Sequence, residues 1–505
     1  MLNTMKMPFK SSLIASSLLL AASAAVIPGS VLAQENQKQE SQKQEKDEWA
    51  DFDSWGDKAP AKKTETQSDE WGGFDSGDFG SGDWGDSAQS DGGTGTGDDW
   101  DSFEDSKSTR NPITGFVEAA YGRRLSLDPA IDRPQTLSDL RFQFQWDYDL
   151  EASTIKTRAD LYYDGVKNNT EIQIRELAWH GSLAGLGDWG SHFDAKVGQQ
   201  VLTWGTGDYL FLNDLFPKDW QSFFSGRDDE YLKAPSFSAK LSGYFDLFNF
   251  DFVVTPRFTP DNYINGQYYS FFSPQAGQNI APEFDVPTAN RPTNAEYAVR
   301  LYKSFDSTEV ALYGYSGYSP LPESADVFGR PKFSDMNVYG FSVVSPLGDG
   351  IAKFEYARQN ALEDPNGDNP LEQNSMSKVL VGYEQELYPN LTGSLQWYME
   401  RTHDHDALVR TSPWPEYEQE KVRNVLTTQV IYRALRQTLT LNLFSFYSPT
   451  EKDGYTKFRA SYSPVDDWSL SSGFNWFYGK DKHTFFNQFE DTSNVYFSFR
   501  YFYSF

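Results

Sequence analysis

The C-terminal stretch of the chain, residues 495–505, reads VYFSFRYFYSF, and every second residue from Val495 onward is apolar or aromatic. Successive side chains of a strand point to opposite faces, so every second residue shares a face. One face is wholly apolar or aromatic and consists of Val495, Phe497, Phe499, Tyr501, Tyr503 and Phe505. An edge strand of a soluble protein is the alternative, but so apolar an uncovered edge would promote aggregation. The stretch therefore predicts a strand whose apolar face meets lipid.

The same alternation recurs upstream, for example between Leu140 and Leu150, where polar residues separate leucines and aromatics. Such segments run about ten residues, the length of a tilted membrane strand, whereas strands of soluble proteins average five or six. They predict eighteen strands, at residues 114–122, 139–151, 154–165, 171–183, 191–203, 235–245, 249–258, 294–304, 308–317, 336–346, 351–360, 376–387, 391–401, 422–433, 437–447, 454–463, 468–478 and 493–505.

Short turns follow the even-numbered strands, and most of the longer loops follow the odd-numbered ones. An even strand count with this asymmetry is typical of bacterial outer-membrane barrels, whose short turns face the periplasm. We therefore predict an all-β fold: a transmembrane antiparallel β-barrel of about 18 strands over residues 111–505, with sixteen or twenty strands as alternatives. Both termini then lie in the periplasm.

The first 33 residues are typical of a secretory signal peptide. Lys6 and Lys10 precede an apolar run at residues 13–27, and Ala33 ends a pattern suited to cleavage. A transmembrane helix is the alternative, but the run is short and rich in alanine and serine. We therefore expect the remainder of the chain to be exported.

Residues 34–110 form an acidic segment rich in Gly, Ser and Asp, which predicts disorder because little apolar surface is available for burial. An acidic–aromatic phrase recurs in it, with tryptophan and phenylalanine three residues apart. One helical turn would place both rings on one face. The repeat predicts a motif that binds a basic, grooved partner, and a solvated spacer is the alternative. The motif residues are Trp49, Phe52, Trp71, Phe74, Trp100 and Phe103.

Composition excludes several other functions. The chain has no cysteine and a formal net charge of −28, so we expect neither disulfides nor a nucleic-acid partner. Only five histidines occur, and the pair His403 and His405 falls in a predicted external loop. No G-x-S-x-G motif is present. We therefore predict no enzyme activity, no cofactor and no metal site.

A barrel of sixteen to eighteen strands encloses an aqueous channel, so inward-facing residues form its functional surface. A lysine or arginine facing lipid costs about 2–4 kcal/mol at mid-membrane, so strand cations are expected to face inward. Two interpretations stay open: a track for anions, or charges that pair across strands and stiffen the wall. The predicted pore-lining residues are Arg141, Lys156, Arg158, Lys196, Lys240, Arg257, Arg300, Lys353, Arg459 and Arg500.

The connection at residues 204–234 is long and unusually aromatic. Such a loop is poorly suited to water, and folding into the pore as a constriction would bury it. A cap on the barrel rim is the alternative. The predicted constriction residues are Trp204, Gly205, Gly207, Asp208, Phe211 and Trp220.

Two motifs lie around this connection: RELAW at residues 175–179 and GQQVLTWG at residues 198–205. Together they resemble the porin-type barrels of the alginate-export kind and related outer-membrane channel proteins, although Gln199 stands where that family more often has arginine. The C-terminal strand, ending in Phe505, resembles the signature that delivers outer-membrane barrels to their assembly machinery. The resemblance implies a channel or an export pore, and some relatives act beside inner-membrane lipid or hydrophobe exporters.

These observations lead to two functional hypotheses for a protein of the bacterial outer membrane with its N-terminal segment in the periplasm. The first is a channel that passes a polar, anionic solute or polymer. The second is the barrel subunit of a trans-envelope lipid or hydrophobe export system, docked through the acidic segment. The expected partners are outer-membrane lipid, the barrel-assembly machinery and, for the second hypothesis, a periplasmic or inner-membrane exporter.

Overall fold

The computed structural model describes residues 113–150 and 152–505. The predicted signal peptide, the acidic segment and its tryptophan–phenylalanine motifs lie outside the described residues. Among the described helices, none is both long and apolar enough to cross a membrane.

Eighteen antiparallel strands, β1 to β18, form one sheet. Strand β18 returns to pair with β1, from Thr114 opposite Ser504 to Arg124 opposite Asn494, so the sheet closes into a barrel without free edges. The prediction of an all-β barrel with eighteen strands is confirmed. In chain order the strands span Thr114–Arg124, Gln135–Leu150, Ser153–Asp164, Asn169–Ser182, Phe193–Gln200, Ser236–Tyr244, Asn249–Thr255, Glu296–Phe305, Thr308–Tyr318, Asp335–Leu347, Gly350–Ala361, Met376–Tyr388, Leu391–Thr402, Val422–Ala434, Leu439–Ser448, Asp453–Val465, Trp468–Tyr478 and Asn494–Ser504.

The connections carry the remaining elements. Two short helices are α1 (Trp220–Ser225) and α2 (His405–Thr411). Two small sheets pair Phe271–Ser273 with Gln278–Ile280, and Ser324–Ala325 with Pro331–Lys332. Single 3₁₀ turns lie at Ala184–Leu186, Gly190–His192, Asp229–Leu232, Thr288–Asn290, Pro415–Tyr417 and Asn487–Thr492.

Turns and loops separate to the two ends of the barrel. Two-residue turns such as Asp306-Ser307 and Pro389-Asn390 follow even-numbered strands, and Asp306 and Asn390 adopt the positive φ that such tight reversals need. The longest loops, residues 201–235 and 256–295, follow odd-numbered strands. We name the ends by the rule for outer-membrane barrels: short turns mark the periplasmic end, and long loops the extracellular end.

The outer surface is apolar, as the alternating pattern predicted. On β18, the outward-facing Val495 and Phe497 are 44% and 50% exposed. The alternate residues Tyr496 and Ser498 face inward and are 3% and 7% exposed. Aromatic side chains such as Trp468 lie exposed near the periplasmic end, as in the aromatic girdle of membrane barrels.

Several strand boundaries differ from the prediction by two to four residues, and one of them affects a predicted pore-lining residue. Strand β7 ends at Thr255 rather than at residue 258, because Pro256 has no N–H to donate to the ladder. Arg257 is therefore an exposed loop residue and does not belong to the inner wall.

Candidate functional site

The connection between β5 and β6, residues 201–235, lies inside the barrel, and we call it the inserted segment. It contacts inward-facing residues at three well-separated places: Arg175 on β4, Glu355 on β11 and Arg459 on β16. These strands lie five to seven places apart in a closed sheet of eighteen. A connection that reaches all three must cross the lumen. The predicted constriction residues all belong to this segment.

Glu355 anchors the first part of the inserted segment. Its buried carboxylate accepts hydrogen bonds from the backbone N–H groups of Thr206 and Asn213, at 2.9 and 3.0 Å. It also accepts from the Thr206 hydroxyl at 3.0 Å and from the Asn213 amide at 2.9 Å. Gly205, at a φ of +88°, makes the turn that brings both N–H groups to one carboxylate.

Aromatic packing fills the extracellular half of the lumen around α1. Tyr209 meets Phe444 of β15 with ring centroids 4.8 Å apart, and Phe224 meets Phe477 of β17 at 5.2 Å. The two wall residues point inward yet are at most 1% exposed. The inserted segment therefore excludes water from this part of the wall.

A second loop, residues 256–295, supports α1 from the extracellular side. The indole N–H of Trp220 donates to Asp261 Oδ2 at 2.7 Å, and the backbone N–H of Lys218 donates to the other carboxylate oxygen at 2.9 Å. Burial raises the pKa of Asp261 to about 6, even though Lys218 and these hydrogen bonds favour the ionised form. The two loops thus form one plug.

Three consecutive carboxylates of the inserted segment, residues 228–230, face cations of the wall. The pairs are Asp228 with Arg459 at 2.7 Å, Asp229 with Lys457, and Glu230 with Arg500 at 3.2 Å. Cations of β16 and β18 therefore already bind carboxylates, and the protein itself supplies them.

The RELAW motif has a structural explanation. Opposite β3, Arg158 pairs with Glu176 and Ala159 pairs with Ile174, so Arg175 is an extra residue in a β-bulge. As a result Arg175 and Glu176 both serve the interior: Arg175 donates to the backbone carbonyl of Glu230 at 2.7 Å, and Glu176 pairs with a lysine of β5. Strict alternation would direct only one of the two adjacent residues, Arg175 or Glu176, into the lumen.

The substituted position of the second motif lies on the other side of the wall. Gln199 is opposite Leu177 and Phe237, which are 48% and 55% exposed on the outer face. Gln200 is the residue that points inward, where its amide donates to the carbonyl of Ser238 at 2.9 Å.

Nine of the ten predicted pore-lining cations lie on strands with buried or half-buried side chains, and Arg257 is the exception. Seven of the nine form ion pairs: Arg141 with Asp160 (2.5 Å), Lys196 with Glu176 (2.8 Å), Lys240 with Asp251 (3.2 Å), Arg300 with Glu309 (2.6 Å), Lys353 with Glu384 (3.1 Å) and Asp208 (3.2 Å), Arg459 with Asp228 (2.7 Å) and Arg500 with Glu118 (2.8 Å). Much of the wall thus follows the interpretation of charges that pair across strands.

We call Lys156, Arg158, Lys196 and Lys240 the basic wall: Lys196 and Lys240 are each paired with one carboxylate, whereas Lys156 and Arg158 are not. Lys196 on β5 lies directly opposite Lys240 on β6, and their side chains are 23% and 28% exposed. Lys156 is close enough to repel Lys196 electrostatically. Among the described residues, no carboxylate lies within 4.0 Å of the charged nitrogens of Lys156 or Arg158.

Histidines do not build a metal centre in this part of the chain. His403 Nε2 bonds the hydroxyl of Ser377 at 2.9 Å, and His405 Nε2 bonds the backbone carbonyl of Gln419 at 2.7 Å. Within residues 113–150 and 152–505 there is no group of three His, Cys, Asp or Glu residues suited to holding a metal ion.

Comparison with protein-family models gave no match, and neither did comparison with curated proteins. Comparison with solved structures found several that resemble this chain. OccAB3 of Acinetobacter baumannii is 10% identical, with 78% of this chain and 99% of that chain covered and a TM-score of 0.48. Pseudomonas aeruginosa OccK9 (OpdG) is 9% identical, with 78% of this chain and 97% of that chain covered and a TM-score of 0.47. Pseudomonas aeruginosa OccD3 (OpdP) is 8% identical, with 78% of this chain and 91% of that chain covered and a TM-score of 0.46.

The closed sheet of eighteen antiparallel strands confirms the predicted porin-type barrel as a fold. Because the identities are 10% or less and the TM-scores are below 0.5, these structures carry no argument about the solute of this chain.

Proposed function

We propose that this protein is an outer-membrane channel for polar anionic solutes, which pass the basic wall on the periplasmic side of the inserted segment. The observation that supports this most is Lys196 opposite Lys240, both in contact with water. Like charges directly opposite each other in a sheet are destabilising. Glu176 and Asp251 offset part of this repulsion. Lys156 and Arg158, which have no described carboxylate within 4.0 Å, leave the basic wall with two cations to which a passing anion can bind.

The inserted segment sets which anions reach this site. It fills the extracellular half of the lumen beside β15 to β17, so a solute must pass the remaining cross-section or displace part of the segment. The carboxylates at 228–230 indicate the ligand chemistry that the nearby arginines accept. A solute carrying a carboxylate or phosphate would compete with them for the same guanidinium groups.

Ion selectivity in planar lipid bilayers tests the proposal. Each lysine of the wall contributes about 0.5 kcal/mol to an anion ~8 Å away in water. The K196Q/K240Q variant should therefore lower the anion-to-cation permeability ratio by about fivefold at low salt, as measured from the reversal potential in a KCl gradient.

The matched control is R436Q/K480Q, which removes two exposed cations from turns and loops and should leave the ratio unchanged. A wild-type barrel that prefers cations, or equal ratios for both double variants, would refute anion passage through the basic wall.

The repeated acidic–aromatic motif supports a second candidate, a barrel subunit of a trans-envelope exporter. Three tryptophan–phenylalanine pairs at similar spacing offer a partner several equivalent contacts. Replacing Trp49, Trp71 and Trp100 with alanine should abolish co-purification of a periplasmic or inner-membrane partner, while the barrel still assembles. Replacement of three serines in the same segment is the control, and an unchanged set of partners would reject the docking role.

A further inference from the structure

Two arginines and a serine lie side by side on the outer face of the barrel, at the extracellular end of β11, β12 and β13. Arg358 is opposite Ser377, and Ser377 is in turn opposite Arg401. Since Glu355 and Ala357 of β11 point inward, Arg358 points outward. Arg401 shares the outer face with Leu395 and is itself exposed. We call these three residues the outer arginine face.

The spacing of the two arginines suits one small anion. Neighbouring strands lie about 4.8 Å apart, so residues in register two strands apart are separated by about 10 Å, and two long guanidinium side chains can converge over the serine between them. The Ser377 hydroxyl lies 3.4 Å from Arg358 Nη1 and 2.9 Å from His403 Nε2. Arg358 Nε donates to Asn360 Oδ1 at 2.8 Å, which restricts its side chain.

The charge of the outer arginine face is not balanced locally. Among the described residues, no carboxylate lies within ion-pair distance of Arg358 or Arg401. Burial and the charges of these two arginines lower the pKa of His403, against the opposite effect of Asp404. Two uncompensated cations at the same level of β11 and β13, with only β12 between them, repel each other.

The surface beneath these residues is apolar. Tyr339, which is 57% exposed, lies directly opposite Arg358. Towards mid-membrane the same outer face carries Val381, Leu395 and Trp397, which are 44%, 58% and 38% exposed. An arginine tolerated on the lipid side of a barrel lies near the interface, where its cost falls to about 0–1 kcal/mol. The face therefore combines cations at headgroup level with a surface for acyl chains directly below.

We propose that the outer arginine face binds a phosphate group of an anionic lipid in the extracellular leaflet. Arg358 and Arg401 donate to the phosphate oxygens from either side, and the Ser377 hydroxyl donates between them. The acyl chains of the lipid lie along Val381, Leu395 and Trp397. This site is separate from the lumen and does not depend on which solute the channel passes.

Native mass spectrometry of the purified full-length barrel in a non-ionic detergent tests the site, with diphosphoryl lipid A as the probe. Wild-type protein should bind diphosphoryl lipid A more tightly than it binds neutral phosphatidylcholine. R358Q/R401Q should bind it about tenfold more weakly, because charge-assisted hydrogen bonds to phosphate are lost. The matched control is K303Q, an outward-facing cation at the periplasmic end that bonds the carbonyl of Asp246, and its affinity should be unchanged.

Three outcomes overturn the proposal: equal affinity of wild type and R358Q/R401Q, equal loss in K303Q, or displacement of the lipid by equimolar inorganic phosphate, which would indicate a site for soluble anions. Gel mobility of the unheated barrel reports folding of each variant. Should the double variant not fold, R401Q alone carries the test, since Arg401 is exposed and its replacement leaves the wall packing intact. Single-channel conductance should stay the same in all these variants.

Discussion

Glu355 shows how one residue determines the shape of the lumen. Its carboxylate receives four hydrogen bonds from Thr206 and Asn213, and it holds the start of the inserted segment against β11. A hydrogen bond to a charged group contributes about 1.5–3 kcal/mol. The position of the segment therefore depends strongly on one side chain.

We expect E355Q to loosen the inserted segment without preventing barrel assembly. The amide of glutamine accepts at one oxygen only and presents an N–H₂ group to donors, so about 2–3 kcal/mol of anchoring is lost. Single-channel recordings should show larger open-state current fluctuations than wild type. The control E386Q removes an exposed carboxylate at the periplasmic end and should not change the noise. Identical noise in both variants would show that the segment is held by other contacts.

Residue contacts of this kind could not be predicted from the sequence. Glu355 is 149 positions from Thr206 and 142 from Asn213, and nothing local distinguishes it from other acidic strand residues. The same holds for Arg175, since a bulge changes which side a residue faces and alternation gives no sign of it. The prediction for Arg257 is wrong for a local reason, because the strand ends before Pro256, which has no N–H to donate.

At the scale of elements, the sequence predicts that the inserted segment folds into the lumen, but it does not predict how helix α1 packs there. A long aromatic connection has no stable position in water, so burial inside the barrel was the expected result. Helix α1 is a single short turn between Asp219, whose carboxylate caps Ser222 N–H at 2.7 Å, and Gly226 at a φ of +90°. Its packing against Phe477 depends on strands that lie far away in sequence.

Excising the tip of the inserted segment should widen the channel. Lys218 and Lys233 form an antiparallel bridge, so residues 219–232 can be replaced with Asn-Gly as a two-residue turn. The deletion removes α1 and the carboxylates at 228–230. Single-channel conductance should increase severalfold, and anion preference should strengthen because Arg459 and Lys457 lose their partners.

Shortening the exposed tip at residues 327–329 is the control for this deletion. Val327 and Phe328 there are 84% and 68% exposed and do not plug the barrel. Its conductance should equal that of wild type. A deletion variant that conducts like wild type would mean that the inserted segment does not constrict the pore.

For the whole molecule, strand number and topology were predictable because lipid outside and water inside impose the same alternation on every strand. The signal repeats eighteen times, so errors of up to four residues at strand ends do not change the result. Lumen charges are different. Alternation predicts that a cation faces inward, but whether it stays available or pairs with a carboxylate depends on its neighbour across the sheet, as Lys240 and Asp251 show.

The pairing of Thr114 with Ser504 has a consequence for biosynthesis. The barrel is closed by pairing of its first and last strands, so a chain that lacks the last strand leaves β1 and β17 each without one partner. A chain cut short by a premature stop codon would expose two unsatisfied rows of backbone groups and become a substrate for periplasmic proteases. Barrel closure thus distinguishes a chain that carries the last strand from one that lacks it.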